Sequence, residues 1–117
     1  MGLTYAQLRI IGPRASDELE LLVDTGSLYT WIQKKNLEKL GVSPVGKRKF
    51  RTIEGRELVR QIGETVMELS GEKATRIVVF AEEGDAQVLG ADSLEGLAFE
   101  VDPTTKRLKK VEAFVAY

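Results

Sequence analysis

The chain has 117 residues, 43% of them hydrophobic and 30% charged, with 17 Lys+Arg against 18 Asp+Glu and a formal net charge of -1, which suits one soluble domain over residues 1–117. It has no Cys and no His, which excludes thiol nucleophiles, thiolate or imidazole metal sites, a Ser-His-Asp triad and a histidine base. The near-neutral charge gives no bulk attraction to nucleic acid or to an anionic membrane, so neither is expected as a partner.

The opening, MGLTYAQLRI, lacks a basic flank followed by a long apolar run, and no stretch approaches the roughly 18 apolar residues of a membrane span. A cytoplasmic location is the expectation. Short alternating runs dominate the chain and predict a mainly β domain. Leu3, Tyr5, Gln7 and Arg9 alternate with Thr4, Ala6, Leu8 and Ile10 in a first strand, closed by Gly12-Pro13. A second strand over 18–23 ends in Asp24-Thr25-Gly26-Ser27. Between Trp31 and Leu40 the spacing of Ile32, Leu37 and Leu40 predicts a short helix, with Gly41 as its C-terminal cap. Strands are then expected over 49–53, 58–69 and 75–81, with turns at Glu54-Gly55 and Ser70-Gly71-Glu72. After Gly84 come a short buried strand over 87–89 and one or two helical turns over 92–97. Residues 99–101 and 107–115 read as a final hairpin around Asp102-Pro103-Thr104-Thr105.

One motif rises above this background: the apolar run Leu21-Leu22-Val23 leads straight into Asp24-Thr25-Gly26-Ser27. Late in the chain stands Val88-Leu89-Gly90-Ala91-Asp92-Ser93-Leu94, and between the two lies Thr52-Ile53-Glu54-Gly55-Arg56. In order and spacing these three elements resemble the catalytic loop, the late apolar-apolar-Gly element with its short helix, and the flap tip of retroviral-type (retropepsin-like) aspartic proteases. The resemblance covers most of the chain. It implies a single-lobe, closed β-barrel with one or two short helices that acts as a symmetric homodimer on a peptide or protein substrate, with no metal and no organic cofactor.

The residue chemistry leads the same way. Without metal, His or Cys, a peptide bond can be hydrolysed by two carboxyl groups that share a proton and hold a water, one acting as general base and the other as general acid. Two catalytic loops are needed, and the chain has one Asp-Thr-Gly. Asp92 and Asp102 are not followed by Thr-Gly. The second aspartate is therefore expected from another copy, as a closed two-fold dimer allows. Asp24, Thr25 and Gly26 are the candidate catalytic loop. The resemblance implies that Thr25 reaches across the axis to the opposite loop, and that Gly26 lets substrate backbone approach closely. Ser27 would donate a hydrogen bond to the outer oxygen of Asp24, favouring the ionised form and an acid optimum.

Ser27, Leu28, Tyr29, Ile53, Glu54 and Gly55 are the candidate substrate-binding residues. Viral relatives commonly pair an acidic residue after the catalytic loop with an arginine after the late glycine. Here Leu28-Tyr29 and Ala91 stand at those places, which implies a different dimer contact and apolar subsites. The apolar end, residues 110–117, is the candidate terminal strand for pairing across the dimer. Trp31 and Phe80 read as core or interface aromatics. Lys47-Arg48-Lys49 with Arg51 reads as a solvated strand edge, and Glu82-Glu83 with Asp85 as a solvated loop. A second reading is a weakly active or inactive peptide-binding or dimerisation module on the same fold; Asp24 weighs against it, because binding alone has no chemical need for that carboxylate.

Overall fold

Alternation of inward apolar and outward polar residues makes the first hairpin. In the computed structural model, which describes residues 3–117, strand β1 (Tyr5–Ile11) buries Ala6, Leu8 and Ile10. It pairs antiparallel with β2 (Ser16–Val23), from Tyr5 opposite Leu22 to Ile11 opposite Ser16. Beyond it come β3 (Thr30–Gln33), helix α1 (Lys34–Lys39), β4 (Pro44–Arg51), β5 (Glu57–Leu69), β6 (Glu72–Ala81), β7 (Val88–Leu89), helix α2 (Ala91–Gly96), β8 (Phe99–Val101) and β9 (Leu108–Lys110). The molecule is mainly β, compact, and carries two short helices among its described residues.

Seven strands form one sheet in the order β1-β2-β7-β3-β6-β5-β4. β2 and β7 run parallel, as do β3 and β6, and β1 also pairs with β5 through Arg9–Ile11 against Val66–Glu68. β8 and β9 form a separate two-stranded sheet. Leu8, Ile10, Leu21, Ile32, Leu37, Met67, Val78, Phe80, Leu89 and Leu97 are buried to 1% exposure or less and form the centre of the core. Phe80 is thus a core aromatic, whereas Trp31 is half-buried. Among the described residues no helix is long and apolar enough to cross a membrane.

Several expected elements have different bounds. The helix expected from Trp31 begins at Lys34, because Thr30–Gln33 pair in parallel with β6 and Trp31 also pairs antiparallel with Val88 of β7. Its end is as expected: Gly41 at φ +84° donates to Glu38 O at 3.1 Å while Val42 donates to Leu37 O at 3.0 Å, a Schellman cap whose buried Leu37 and Val42 belong to the core. β4 starts at Pro44 rather than Lys49. It is an edge strand on which only Phe50 is half-buried, so no apolar alternation marks its first half. Ser70 and Gly71, at φ +48° and +86°, close a two-residue turn between β5 and β6, a type I′ geometry that matches strand twist. The last strand ends at Lys110 instead of Val115, since its partner β8 has only three residues. Phe114, Val115 and Tyr117 are exposed beyond it.

Candidate active site

The loop after β2 is held from both ends by backbone. Val23 N–H donates to Thr4 O at 2.8 Å and Asp24 N–H to Leu89 O at 2.9 Å, so β7 carries the loop. The turn then closes on itself, Ser27 N–H donating to Asp24 O at 3.1 Å and Gly26 N–H to the carboxylate Oδ1 of Asp24 at 3.0 Å. The Asp24 side chain is exposed, and among the described residues its Oδ2 has no partner. The Ser27 hydroxyl does not reach it. Ser27 Oγ donates to Tyr29 O at 2.8 Å, because the chain bends back over the hydroxyl on its way into β3.

The late Val88-Leu89-Gly90 element locks against this loop. Ala91 and Asp92 N–H donate to Ser27 O and Leu28 O, both at 2.8 Å. Gly90 N–H donates to Thr30 Oγ1 at 3.1 Å, and the Thr30 hydroxyl donates to Ser93 Oγ at 2.7 Å, with both side chains buried. A Cβ at Gly90 would lie 2.3 Å from Tyr29 O and 2.8 Å from Ser27 O. Only glycine allows that approach. Just beyond, Arg76 Nε donates to Asp92 Oδ2 at 3.1 Å and Nη2 to Oδ1, so the acid after the late glycine pairs with β6 in its own chain.

The β4–β5 hairpin leans over the Asp24 loop and encloses a cleft of about 530 Å³. Asp24, Gly26 and Ser27 form one wall, Arg51, Thr52, Ile53, Glu54 and Arg56 the hairpin side, and Gly84, Asp85 and Ala86 one end. Trp31, Phe50, Leu58 and Val88 supply its apolar lining. Phe50 of the hairpin packs edge-on against Trp31 (centroids 5.0 Å apart) and Tyr29 (6.2 Å). The tip is a tight turn in which Thr52 N–H donates to Arg56 O at 2.8 Å, and Gly55, at φ +88°, donates to Thr52 O.

A second fastening ties the hairpin to the end loop. Arg60 on β5 donates to both oxygens of Asp85, at 2.7 and 3.0 Å, and Asp85 Oδ2 also accepts Glu82 N–H at 2.8 Å. Asp85 is thus anchored rather than solvated, while Glu82 and Glu83 are exposed. The hydrogen-bonded Arg60 guanidinium, helped by Glu82 N–H, holds the Asp85 carboxyl below its ordinary 3.8 despite desolvation. A carboxyl lowered on folding stabilises fully above its unfolded value, and loses that contribution as pH falls through the folded one. Asp85→Asn is therefore expected to cost about 2 kcal/mol near pH 7, by leaving a largely buried guanidinium underpaired. The difference from wild type should shrink below about pH 4. Urea unfolding at pH 7, 5, 4 and 3 checks this, and a difference independent of pH would contradict it.

Of the candidate residues, Asp24, Gly26, Ser27, Ile53 and Glu54 meet at one cleft; Thr25, Leu28, Tyr29 and Gly55 stand outside its lining. Thr25 and Leu28 are exposed beside it. Trp31, Phe50, Arg60 and Asp85 join the site through contacts distant in sequence, and Thr30 and Ser93 support it from beneath. Lys47, Arg48, Lys49 and Arg51 are exposed on the edge strand. Among the described residues no group of three or more His, Cys, Asp or Glu could hold a metal ion.

A strand ending in Asp-Thr-Gly-Ser, interlocked with a late Leu-Gly before a short helix and roofed by a hairpin, is the arrangement of retropepsin-like aspartic proteases. The family model for aspartyl protease matches residues 6–93, and the chain belongs to that family. Fifty-five solved chains match its fold. One is the simian foamy virus (mac) protease, solved in solution, which is 19% identical, covers 78% of this chain and 91% of its own, and superposes with a TM-score of 0.52. Comparison with curated proteins finds no match.

Proposed function

We propose that the protein is an aspartic endopeptidase whose single active site forms between two copies of the chain, each contributing Asp24. The observation that carries this reading is the exposed Asp24 carboxylate in a cleft roofed by the β4–β5 hairpin, in a chain with one Asp-Thr-Gly. Half a dyad faces the cleft in each subunit. A two-fold axis through the loops would bring the other half, and the exposure of Thr25 beside Asp24 supports a role for it in bridging the two loops.

The chemistry follows from two carboxyl groups that share one proton. The ionised one takes a proton from the bound water as its oxygen attacks the peptide carbonyl, and the protonated one gives its proton to the carbonyl oxygen. Collapse of the tetrahedral intermediate breaks the C–N bond as the amine is protonated. The hairpin closes over substrate and excludes bulk water. The pairing of β1 with β5 supports a sheet that closes into a barrel. The exposed apolar Phe114, Val115 and Tyr117 support pairing of the chain ends across the dimer.

Trp31, Phe50, Leu58 and Val88 around the carboxylate favour large apolar residues at the scissile bond. Digestion of a mixed peptide library from pH 3 to pH 8 tests the reading. Cleavage between apolar residues is expected, with activity per subunit falling on dilution as the dimer dissociates. Cleavage dominated by charged residues at the scissile bond, or specific activity unchanged by dilution through the dissociation range seen in ultracentrifugation, would contradict it.

A further inference from the structure

A second cavity, of about 270 Å³, lies at the base of the same hairpin and is lined by Lys34, Lys47, Val59, Arg60, Gln61 and Glu82. Lys47 and Gln61 are register partners across β4 and β5. Among the described residues neither Lys34 nor Lys47 has a carboxylate within 4.0 Å, and Arg60 is committed to Asp85. Gln61 Oε1 is buried with no hydrogen-bond partner. Buried acceptors are rarely left so, because each lost hydrogen bond is costly. The cavity thus presents two unspent ammonium groups, tempered by a single carboxylate, Glu82.

We propose that this cavity is an exosite that takes an acidic side chain of the polypeptide being cleaved, outside the cleft. The carboxylate of a Glu or Asp accepts hydrogen bonds from Lys34 and Lys47. Glu82 repels a dense polyanion such as a phosphodiester backbone. Two further features favour an extended segment. β4 is the last strand of its sheet and leaves one backbone row open, and Lys47, Arg48 and Lys49 are exposed along it. The Arg60–Asp85 pair contributes to both cavities, with Arg60 in this one and Asp85 in the cleft, so a segment seated here is a short extension of one bound in the cleft.

The identity of the occupant rests on the endopeptidase reading, so binding is measured apart from turnover. A fluorescent peptide with an apolar core and an Asp/Glu-containing extension, and its Asn/Gln counterpart, are titrated by anisotropy against Asp24→Asn, alone and combined with Lys34→Gln/Lys47→Gln. The acidic peptide is expected to bind about tenfold more tightly than the neutral one. That advantage should vanish with the lysines and return in Lys34→Arg/Lys47→Arg. In the cleaving enzyme the lysine substitutions should raise KM for the acidic peptide and leave kcat unchanged. Equal binding of both peptides, or an advantage that survives Lys34→Gln/Lys47→Gln, overturns the proposal. So does competition by free succinate as effective as by the acidic peptide, or a DNA oligonucleotide that displaces that peptide more tightly than it binds itself. A lysine-dependent preference in a protein that cleaves nothing overturns the endopeptidase reading alone; cleavage without that preference overturns the exosite alone.

Discussion

Replacing Asp24 by Asn is expected to lower kcat/KM for peptide cleavage by about 10⁴-fold or more while leaving the fold intact. In a symmetric dimer one substitution removes both carboxyl groups, and with them the general base and the general acid, each worth about 10²–10⁴-fold. The fold should survive because an Asn carbonyl can still accept the Gly26 N–H that Asp24 Oδ1 accepts at 3.0 Å. Steady-state cleavage of an apolar peptide, with a thermal melt of both proteins, measures the two effects separately. Undiminished turnover in Asp24→Asn would refute the assignment of this carboxylate. Equal peptide affinity with no turnover in either protein would instead make the domain a binding module.

Gly90→Ala should unfold the site from below. The added Cβ would sit 2.3 Å from Tyr29 O and 2.5 Å from its carbonyl carbon, a clash with backbone that no side-chain rotation relieves. Overpacking of this kind costs about 3 kcal/mol, equivalent to a fall of about 10 °C in Tm for a domain of this size. Cleavage should fall with it, because Leu89 O, one residue away, anchors Asp24 N–H. Gly55→Ala is the natural comparison. Gly55 has φ +88° but no heavy atom within 4 Å of a Cβ, so its cost is the backbone preference alone, about 1 kcal/mol. Equal melting temperatures for Gly90→Ala and wild type would show that the late glycine does not pack the catalytic loop.

What was legible in the chain was local chemistry. Alternation from Leu3 to Ile10 reveals β1, Ser70-Gly71-Glu72 announces a turn, and Gly41 marks a helix end, because each is decided by neighbours within a few residues. The Asp24 loop and the late Gly90 element are readable for the same reason, as short backbone signatures. The contacts that join them are not. Thr30 with Ser93, Arg60 with Asp85 and Trp31 with Phe50 are set by how strands stack, and nothing in their local sequence tells a pairing threonine or arginine from a solvated one. β3 was hidden inside a helix pattern because its four residues gain strand geometry only from β6 and β7 on either side. The Ser27 hydroxyl went to Tyr29 O rather than to Asp24 because of the path into β3, which periodicity does not encode.

The central claim is that one active site is shared by two subunits, and mixing tests it most directly. Wild-type protein and Asp24→Asn are combined in equal amounts, left to exchange subunits, and assayed against wild type at the same total concentration. If each site needs Asp24 from both copies, only the wild-type pairs cleave, and activity should settle at about one quarter of the wild-type value under random exchange. Activity at about one half would mean that each chain carries a complete site of its own, and would contradict the shared dyad.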